Sequence, residues 1–149
     1  MKKFNFTMQS ILNVKITLKE ARQAELAEAR NQLMLQEKIL EAINEKIKEA
    51  MAPHKMPEQN TASYFVQRER YIRRLKEMRK KQRYIVEQAE TKVDKCITAL
   101  KEALIEQKKM EKAKEREHSS WHKEFLKEEQ KITDETGTAG AFFRNFART

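Results

Sequence analysis

The placement of helix-breaking residues constrains the fold of this chain more than any other sequence feature. The 149 residues include 2 Gly and 2 Pro, and these fall in two places: Pro53 with Pro57, and Gly137 with Gly140. A proline inside a helix costs about 3 kcal/mol, so the first pair must interrupt any helix that reaches it. Because so few residues favour turns, a multi-stranded sheet is nearly excluded. We therefore expect an all-α chain built from long helices.

The two breaks predict the helix boundaries. We expect a first helix at about 7–51, a connection at about 52–62, a second, longer helix at about 63–132 and a flexible tail at 133–149. Asn60, Thr61 and Ser63 offer side-chain oxygens that could cap the start of the second helix. A connection of roughly ten residues lets the helices fold back antiparallel. Residues 1–132 are thus predicted to form an antiparallel coiled-coil hairpin.

Apolar residues recur every seven positions in both predicted helices, which is typical of a left-handed coiled coil. Polar residues interrupt this pattern, among them Lys15, Arg79, Gln82 and Gln107, and predict an imperfect seam. The stripe of the first helix comprises Leu12, Lys19, Leu26, Leu33, Leu40 and Ile47, accompanied by Ala29, Ile43 and Ala50. The stripes of the second helix comprise Ile72, Val86, Val93, Leu100 and Trp121, and Leu75, Ala89, Cys96, Ala103 and Met110.

A length comparison predicts that the second helix extends beyond the first. If residue 51 lies opposite residue 62, Thr7 lies opposite roughly residue 106, and about 26 residues of the second helix, near 39 Å, remain uncovered. An isolated amphipathic helix gains most of its stability by burying its apolar face on something else. The large apolar residues in this uncovered part are Met110, Trp121, Phe125, Leu126 and Ile132. We expect this end to dock into a partner, and a frayed end is the alternative.

The composition narrows the cellular setting. Lys plus Arg (32) exceed Asp plus Glu (23), and the net charge of +9 favours acidic partners. No run of about 18 apolar residues is present, the basic N-terminus lacks the apolar stretch of a signal peptide, and one cysteine permits no intrachain disulfide. These features predict a cytoplasmic protein.

The sequence offers little for catalysis, and we expect neither an enzyme nor a cofactor. A two-helix fold lacks a pocket that excludes water, and no glycine precedes Gly137 to build a phosphate-binding loop. His118 and His122 share a helical face, but the segment lacks the glutamate of a zinc-protease helix, so we expect solvated or structural histidines and no metal. Cys96 lies on the seam, where a cysteine behaves as a small apolar residue.

Positive charge is concentrated between residues 68 and 83, where two acids, Glu69 and Glu77, accompany nine basic residues. Four large apolar residues lie within this stretch, and Tyr71 and Met78 are those we expect to face outward as a binding patch. A solvated face, a nucleic-acid-binding surface and a self-associating structural rod are the alternatives. The basic residues are Arg68, Arg70, Arg73, Arg74, Lys76, Arg79, Lys80, Lys81 and Arg83.

Several segments together resemble FliJ, the small coiled-coil family of the bacterial flagellar type III export apparatus. The opening Lys3-Phe-Asn-Phe6, followed by Met8, Ile11 and Leu12, is similar to the basic-aromatic start of the family. The helix-break-helix plan fits, and the stretch from Tyr71-Ile-Arg-Arg-Leu75 through Glu90-Thr-Lys-Val-Asp94 to Glu115-Arg116 resembles the second helix of the family. The resemblance covers roughly residues 3–120, and the tail from Gly137 has no counterpart. The stalk-like protein of the injectisome is a neighbouring alternative.

The resemblance implies a non-enzymatic, stalk-like protein. FliJ proteins form an antiparallel coiled coil similar to the central stalk of rotary ATPases, and the end bearing both termini inserts into the hexameric export ATPase. They also contact the cytoplasmic domain of the export gate membrane protein and recycle export chaperones. The implied location is the cytoplasm at the inner face of the membrane at the flagellar base, and we expect a monomer with no small-molecule substrate.

The implied contact residues form two groups. The group aligned with the export gate contact comprises Tyr71, Leu75, Met78 and Gln82, and Arg74 of the basic stretch is expected to bind the gate with them. The group expected at the terminal end, for the export ATPase, comprises Met8, Ile11, Leu12, Met110, Trp121 and Phe125.

Overall fold

The computed structural model describes residues 3–53 and 62–147. These contain two long helices packed against each other, α1 (Gln9–Met51) and α2 (Ala62–Phe146), and no strand. The predicted all-α class with a longer second helix is confirmed. α1 ends at Met51, where the proline pair was expected to end it, because Pro53 disfavours a helical conformation at the preceding residue, Ala52. Of the predicted caps, Asn60 and Thr61 lie outside the described residues, and Ser63 lies inside the first turn of α2.

The predicted end of α2 near Ile132 needs correction, because the helix continues through both glycines to Phe146. A glycine inside a helix costs only about 1 kcal/mol relative to alanine, and neither Gly137 nor Gly140 has a positive φ angle that would turn the chain. The hydroxyl groups of Thr136 and Thr138 are satisfied within the helix, since they donate hydrogen bonds to helix carbonyls one turn earlier. The stretch predicted as a tail is therefore mostly helical.

The chain divides into two compact units, and both helices contribute to each. We call Leu18–Ala103 the middle unit, and Met1–Thr17 with Leu104–Thr149 the terminal unit. In the middle unit the helices run antiparallel, because rising residue numbers on α1 meet falling numbers on α2. Half-buried Leu33, Cys96 and Leu100 flank the first of its two apolar clusters. One cluster comprises Leu26, Ala29 and Val93, and the other comprises Ile43, Ile47 and Leu75.

The predicted seven-residue stripes supply these clusters. Every apolar member of the stripes is buried or half-buried in both units, as expected for residues that face the opposite helix. Lys19, the single charged member, is half-buried. The stripes therefore identify correctly which face of each helix packs.

The helices in the terminal unit are also antiparallel, but the predicted alignment is wrong by about two turns. Lys15, rather than Thr7, approaches Glu106, with 3.8 Å between Nζ and a carboxylate oxygen. Lys114 Nζ donates to Gln9 Oε1 at 2.8 Å, which continues the same alignment. The expectation assumed that pairing starts at residue 62. The packed side chains set the register instead. As a result, Arg68, rather than residue 62, meets the end of α1.

Candidate partner-binding surfaces

The five residues expected at the export gate do not share one surface. Tyr71 and Met78 are 48% and 46% exposed, and Arg74 is exposed beside them. Leu75 and Gln82 are only 4% and 7% exposed, so they cannot touch a partner while the helices stay packed. The seven-residue pattern already assigned Leu75 to the seam, and Gln82 follows it one heptad later. The accessible part of this surface is Tyr71, Arg74 and Met78.

Gln82 is buried because it bonds across the seam. Its Nε2 donates to the side-chain Oε1 of Gln36 at 2.7 Å and to the Gln36 carbonyl oxygen at 3.0 Å. A buried polar group that is hydrogen-bonded avoids most of its desolvation cost. The sequence suggested that Gln82 weakens the seam, whereas the structure gives it a specific partner on α1.

The basic stretch from 68 to 83 is mostly accessible. Arg68 is the exception, because its Nε donates to the Ala50 carbonyl at 2.9 Å and its Nη2 to the Ala52 carbonyl at 3.3 Å. These carbonyls lie at the end of α1, where a cation also interacts favourably with the helix dipole. Arg79 is half-buried, and the other seven basic residues are exposed. The four ion pairs found among the described residues all lie outside this stretch.

A groove of about 610 Å³ lies beside the Arg68 cap in the middle unit. Its apolar lining includes Met51, Phe65 and Val66, each between 41% and 55% exposed, and Arg70 and Arg73 supply positive charge. These apolar residues were not singled out from the sequence. The signal that could have found them is the apolar run Tyr64-Phe65-Val66 at the start of α2, in which Phe65 lies seven residues before Ile72 and Val66 lies outside the seam stripes.

The six residues expected at the terminal end differ in accessibility. Met8 and Ile11 are 46% and 44% exposed, whereas Leu12 is buried. Met110, Trp121 and Phe125 are half-buried. Leu12 therefore stabilises the helix pair, and Met8 and Ile11, which precede it in the chain, are the most accessible of the six.

Trp121 and Phe125 belong to a group of aromatic rings in the terminal unit. The ring of Phe4 lies 4.9 Å from the ring of His118 and 5.7 Å from that of Trp121, and Trp121 lies 5.3 Å from Phe125. Such distances suit edge-to-face and tilted aromatic pairs. Trp121 is therefore covered by the segment that precedes α1, which the expected overhang did not allow.

The two histidines carry no sign of a metal centre. The rings of His118 and His122 are nearly parallel with centroids 6.5 Å apart, and each ring also lies near an aromatic neighbour. Within residues 3–53 and 62–147, no group of three or more His, Cys, Asp or Glu residues could hold a metal ion. The described geometry gives these histidines a role in the aromatic group.

One carboxylate in the terminal unit has a perturbed pKa. Lys109 Nζ donates to Glu106 at 2.9 Å, and this hydrogen bond and the Lys109 charge are the main causes that hold the pKa of Glu106 below its ordinary value of 4.5. Lys15, on the opposite helix, adds a weaker effect in the same direction. The ionised form of Glu106 thus helps to join α1 and α2.

The end of α2 carries a further aromatic surface. Phe142, Phe143 and Phe146 are each at least 70% exposed, and the rings of Phe142 and Phe146 stack with centroids 6.5 Å apart. The aromatic and basic sequence of this stretch is compatible with a short docking motif or a membrane-surface contact, and disorder is the alternative. The helical backbone brings Phe142 and Phe146 onto one face.

The family described as "Flagellar FliJ protein" matches residues 4–145. No curated protein and no solved structure matches the chain. Neither described helix is long and apolar enough to cross a membrane.

Proposed function

The chain belongs to the FliJ family of flagellar proteins, whose role is related to flagellar export, and from this membership we propose that it is a non-enzymatic, stalk-like adaptor of the export apparatus. It works by protein contacts alone and needs no cofactor. Its partners are the hexameric export ATPase, the cytoplasmic domain of the export gate membrane protein, and export chaperones. It acts in the cytoplasm at the flagellar base.

The terminal unit is the part proposed to insert into the ATPase ring. The observation that carries this proposal is that one unit contains both the exposed residues Met8 and Ile11 and the aromatic group around Trp121. Exposed apolar residues and half-buried aromatic residues are typical of a contact surface that is completed by a partner. Leu12 supports this surface from the seam.

The middle unit is proposed to contact the export gate. Tyr71, Arg74 and Met78 supply an aromatic, a charged and a flexible apolar side chain, all of which are enriched in protein interfaces. Leu75 and Gln82 hold α1 in place behind them and do not touch the gate domain. Chaperone recycling follows from the family role, and we assign no residue to it.

The test is a titration of the cognate export ATPase into this protein. Trp121, the single tryptophan of the chain, reports on the terminal unit, and ATP turnover is followed in the same samples. We expect a blue shift of Trp121 emission together with faster turnover. Ile11→Glu should reduce both by tenfold or more at a fixed ATPase concentration, because it places a charge in the contact.

The matched control is Met34→Glu, since Met34 is exposed to a similar degree (47%) but lies in the middle unit. Met34→Glu should leave both signals unchanged. The proposal fails if the native protein changes neither Trp121 emission nor turnover at micromolar concentrations. It also fails if Ile11→Glu and Met34→Glu behave alike.

A further inference from the structure

A second stripe of side chains runs along α2 in the middle unit, beside the seam. It comprises Tyr71, Arg74, Met78, Lys81 and Ile85, with spacings of three, four, three and four residues. Its apolar members recur every seven residues and are 48%, 46% and 44% exposed. A spacing of this kind keeps side chains on one face of a helix over several turns. We call this set the flanking stripe.

The flanking stripe is separate from the residues that face α1. Those residues are Ile72, Leu75, Gln82 and Val86, and each is under a tenth exposed. At 100° per residue, the flanking stripe lies about a quarter turn around α2 from them. α2 therefore carries two heptad patterns, of which α1 covers one.

The charges of the flanking stripe indicate what would cover it. Arg74 and Lys81 are exposed, and neither takes part in the ion pairs found among the described residues. A concave surface of about 640 Å³ extends the stripe and is lined by Lys80, Lys81, Tyr84, Ile85 and Glu77. A complementary surface needs apolar side chains at one heptad position and carboxylates at the other.

We propose that the flanking stripe binds a single acidic amphipathic helix of a partner protein. The partner's helix packs apolar side chains on Tyr71, Met78 and Ile85, while its Glu or Asp residues meet Arg74 and Lys81. Two heptads on α2 span about 21 Å, which about four turns of the partner helix would cover. The inference rests on the proposed function, because it gives the chemistry of the segment through which the export gate domain binds the middle unit.

The heptad spacing favours a helix over nucleic acid. Phosphate recognition needs only the basic residues, and no spacing of apolar side chains follows from it. On the opposite flank of α2, Lys76 and Arg83 are exposed without a matching apolar series. The heptad series of apolar residues lies on the same face as Arg74 and Lys81. A partner helix could contact the apolar residues and the positive charges of this face together.

The test uses two designed helical peptides and the full-length protein. The acidic peptide is about 21 residues long. On the face that meets the flanking stripe, it has Leu at one heptad position and Glu at the other. The basic peptide has Lys in place of each Glu. Fluorescence anisotropy should show saturable binding of the acidic peptide and at least tenfold weaker binding of the basic one. Met78→Glu should weaken acidic-peptide binding at least tenfold, and Lys81→Glu should reverse the preference toward the basic peptide.

Two controls match these variants. Met34→Glu changes a methionine of similar exposure on α1, and Lys76→Glu removes an equal charge from the opposite flank of α2. Both should bind the acidic peptide as the native protein does. The cognate export gate domain should rank the four variants in the same order. Circular dichroism establishes that each variant has native helix content.

Three results would overturn the inference: equal binding of both peptides, equal effects of Met78→Glu and Met34→Glu, or a DNA duplex that binds more tightly than the acidic peptide at physiological salt. ATPase stimulation separates this failure from that of the proposed function. If stimulation persists while the peptide test fails, only the flanking stripe is wrong. If the peptide binds but the ATPase titration gives no signal, the adaptor function is wrong.

Discussion

Gln82 occupies a seam position that a heptad pattern reserves for an apolar side chain. Its two hydrogen bonds to Gln36 join α2 to α1 at one point along the antiparallel pair. A polar residue that is paired in this way specifies register, because any shift of the helices would leave the amide buried without a partner. Gln82 thus contributes to alignment as well as to stability.

Replacing Gln82 with alanine should lower the free energy of unfolding by about 1–2 kcal/mol, through the lost hydrogen bonds and the space left behind. Urea unfolding followed by circular dichroism measures the change. Gln88→Ala is the control, since Gln88 is exposed on the same helix and its loss should cost less than about 0.5 kcal/mol. Equal effects of the two substitutions would contradict a role for Gln82 in the seam.

Glu106 links the pH dependence of stability to the terminal unit. Its pKa in the folded protein is lowered, so its ionised form stabilises the fold at pH values above the ordinary 4.5. This contribution disappears as the pH falls through the lowered pKa of the folded state. Glu106→Gln should therefore lose stability at neutral pH and differ less from the native protein at lower pH.

Unfolding free energies of the native protein and Glu106→Gln, measured between about pH 3 and 7, test this direction. Glu102→Gln, on an exposed residue of the same helix, serves as the control. A difference between native and Glu106→Gln that stays constant across this range would show that Glu106 ionisation does not contribute.

At the scale of elements, the short segment before α1 contributes to the packing of the terminal unit. Phe6 is buried, and its carbonyl accepts a hydrogen bond from the Gln9 backbone amide at 3.1 Å, which turns the chain into the helix. Phe4 then lies against His118 and Trp121 of α2. The segment closes part of the seam that α1 does not reach.

Phe4→Ala should uncover Trp121 and shift its emission to longer wavelength, with a loss of roughly 1–3 kcal/mol in the free energy of unfolding. Phe143→Ala makes the same substitution at a side chain that is 72% exposed, and it should leave the emission unchanged. Unaltered Trp121 emission in Phe4→Ala would mean that this aromatic contact is absent in solution.

The last four turns of α2 contain both glycines and should be the least stable part of the helix. A Cβ atom added at Gly137 would meet nothing within 4 Å, and at Gly140 it would meet only an Arg144 side-chain atom at 4.0 Å. Gly137→Ala and Gly140→Ala should each stabilise this helix locally by about 1 kcal/mol. Amide hydrogen exchange of residues 133–147 should slow in both variants and accelerate in Ala139→Gly. Exchange that is unchanged by all three substitutions would contradict a helix here.

At the scale of the whole molecule, the charge distribution and the exposed apolar side chains act in opposite directions on self-association. The net charge of +9 disfavours contacts between identical chains, whereas exposed residues such as Ile11, Met78 and Phe142 favour them. The flanking stripe contains both positive charges and exposed apolar side chains. If two copies of the chain paired through this stripe in register, Arg74 and Lys81 of each copy would meet like charges of the other.

We therefore expect the free protein to sediment as a monomer of 17.8 kDa at micromolar concentrations. Sedimentation velocity at several protein concentrations and at two salt concentrations tests this. Association that strengthens when salt screens the positive charge would identify a latent homodimer surface. A stable dimer at low salt would favour the self-associating structural protein over the adaptor.

Much of the fold follows from local sequence features. The prolines interrupt the helices and the seven-residue stripes mark the packed faces, because backbone preference and side-chain spacing act over a few neighbouring residues. Tyr71, Arg74 and Met78 could be selected in the same way, since positions outside the stripes face solvent. The family resemblance, which the match to residues 4–145 confirms, also depends on sequence alone.

Other features depend on the tertiary structure. The register of α1 against α2, the contact of Phe4 with Trp121 and the bonds between Gln82 and Gln36 join residues that are far apart in the chain. One heptad pattern permits several alignments of α1 against α2 equally, and side-chain packing selects among them. The spacing of the apolar residues alone therefore cannot identify the alignment that is adopted. The continuation of α2 through Gly137 and Gly140 reflects a sum of small free energies, in which a cost of about 1 kcal/mol per glycine is too small to end the helix.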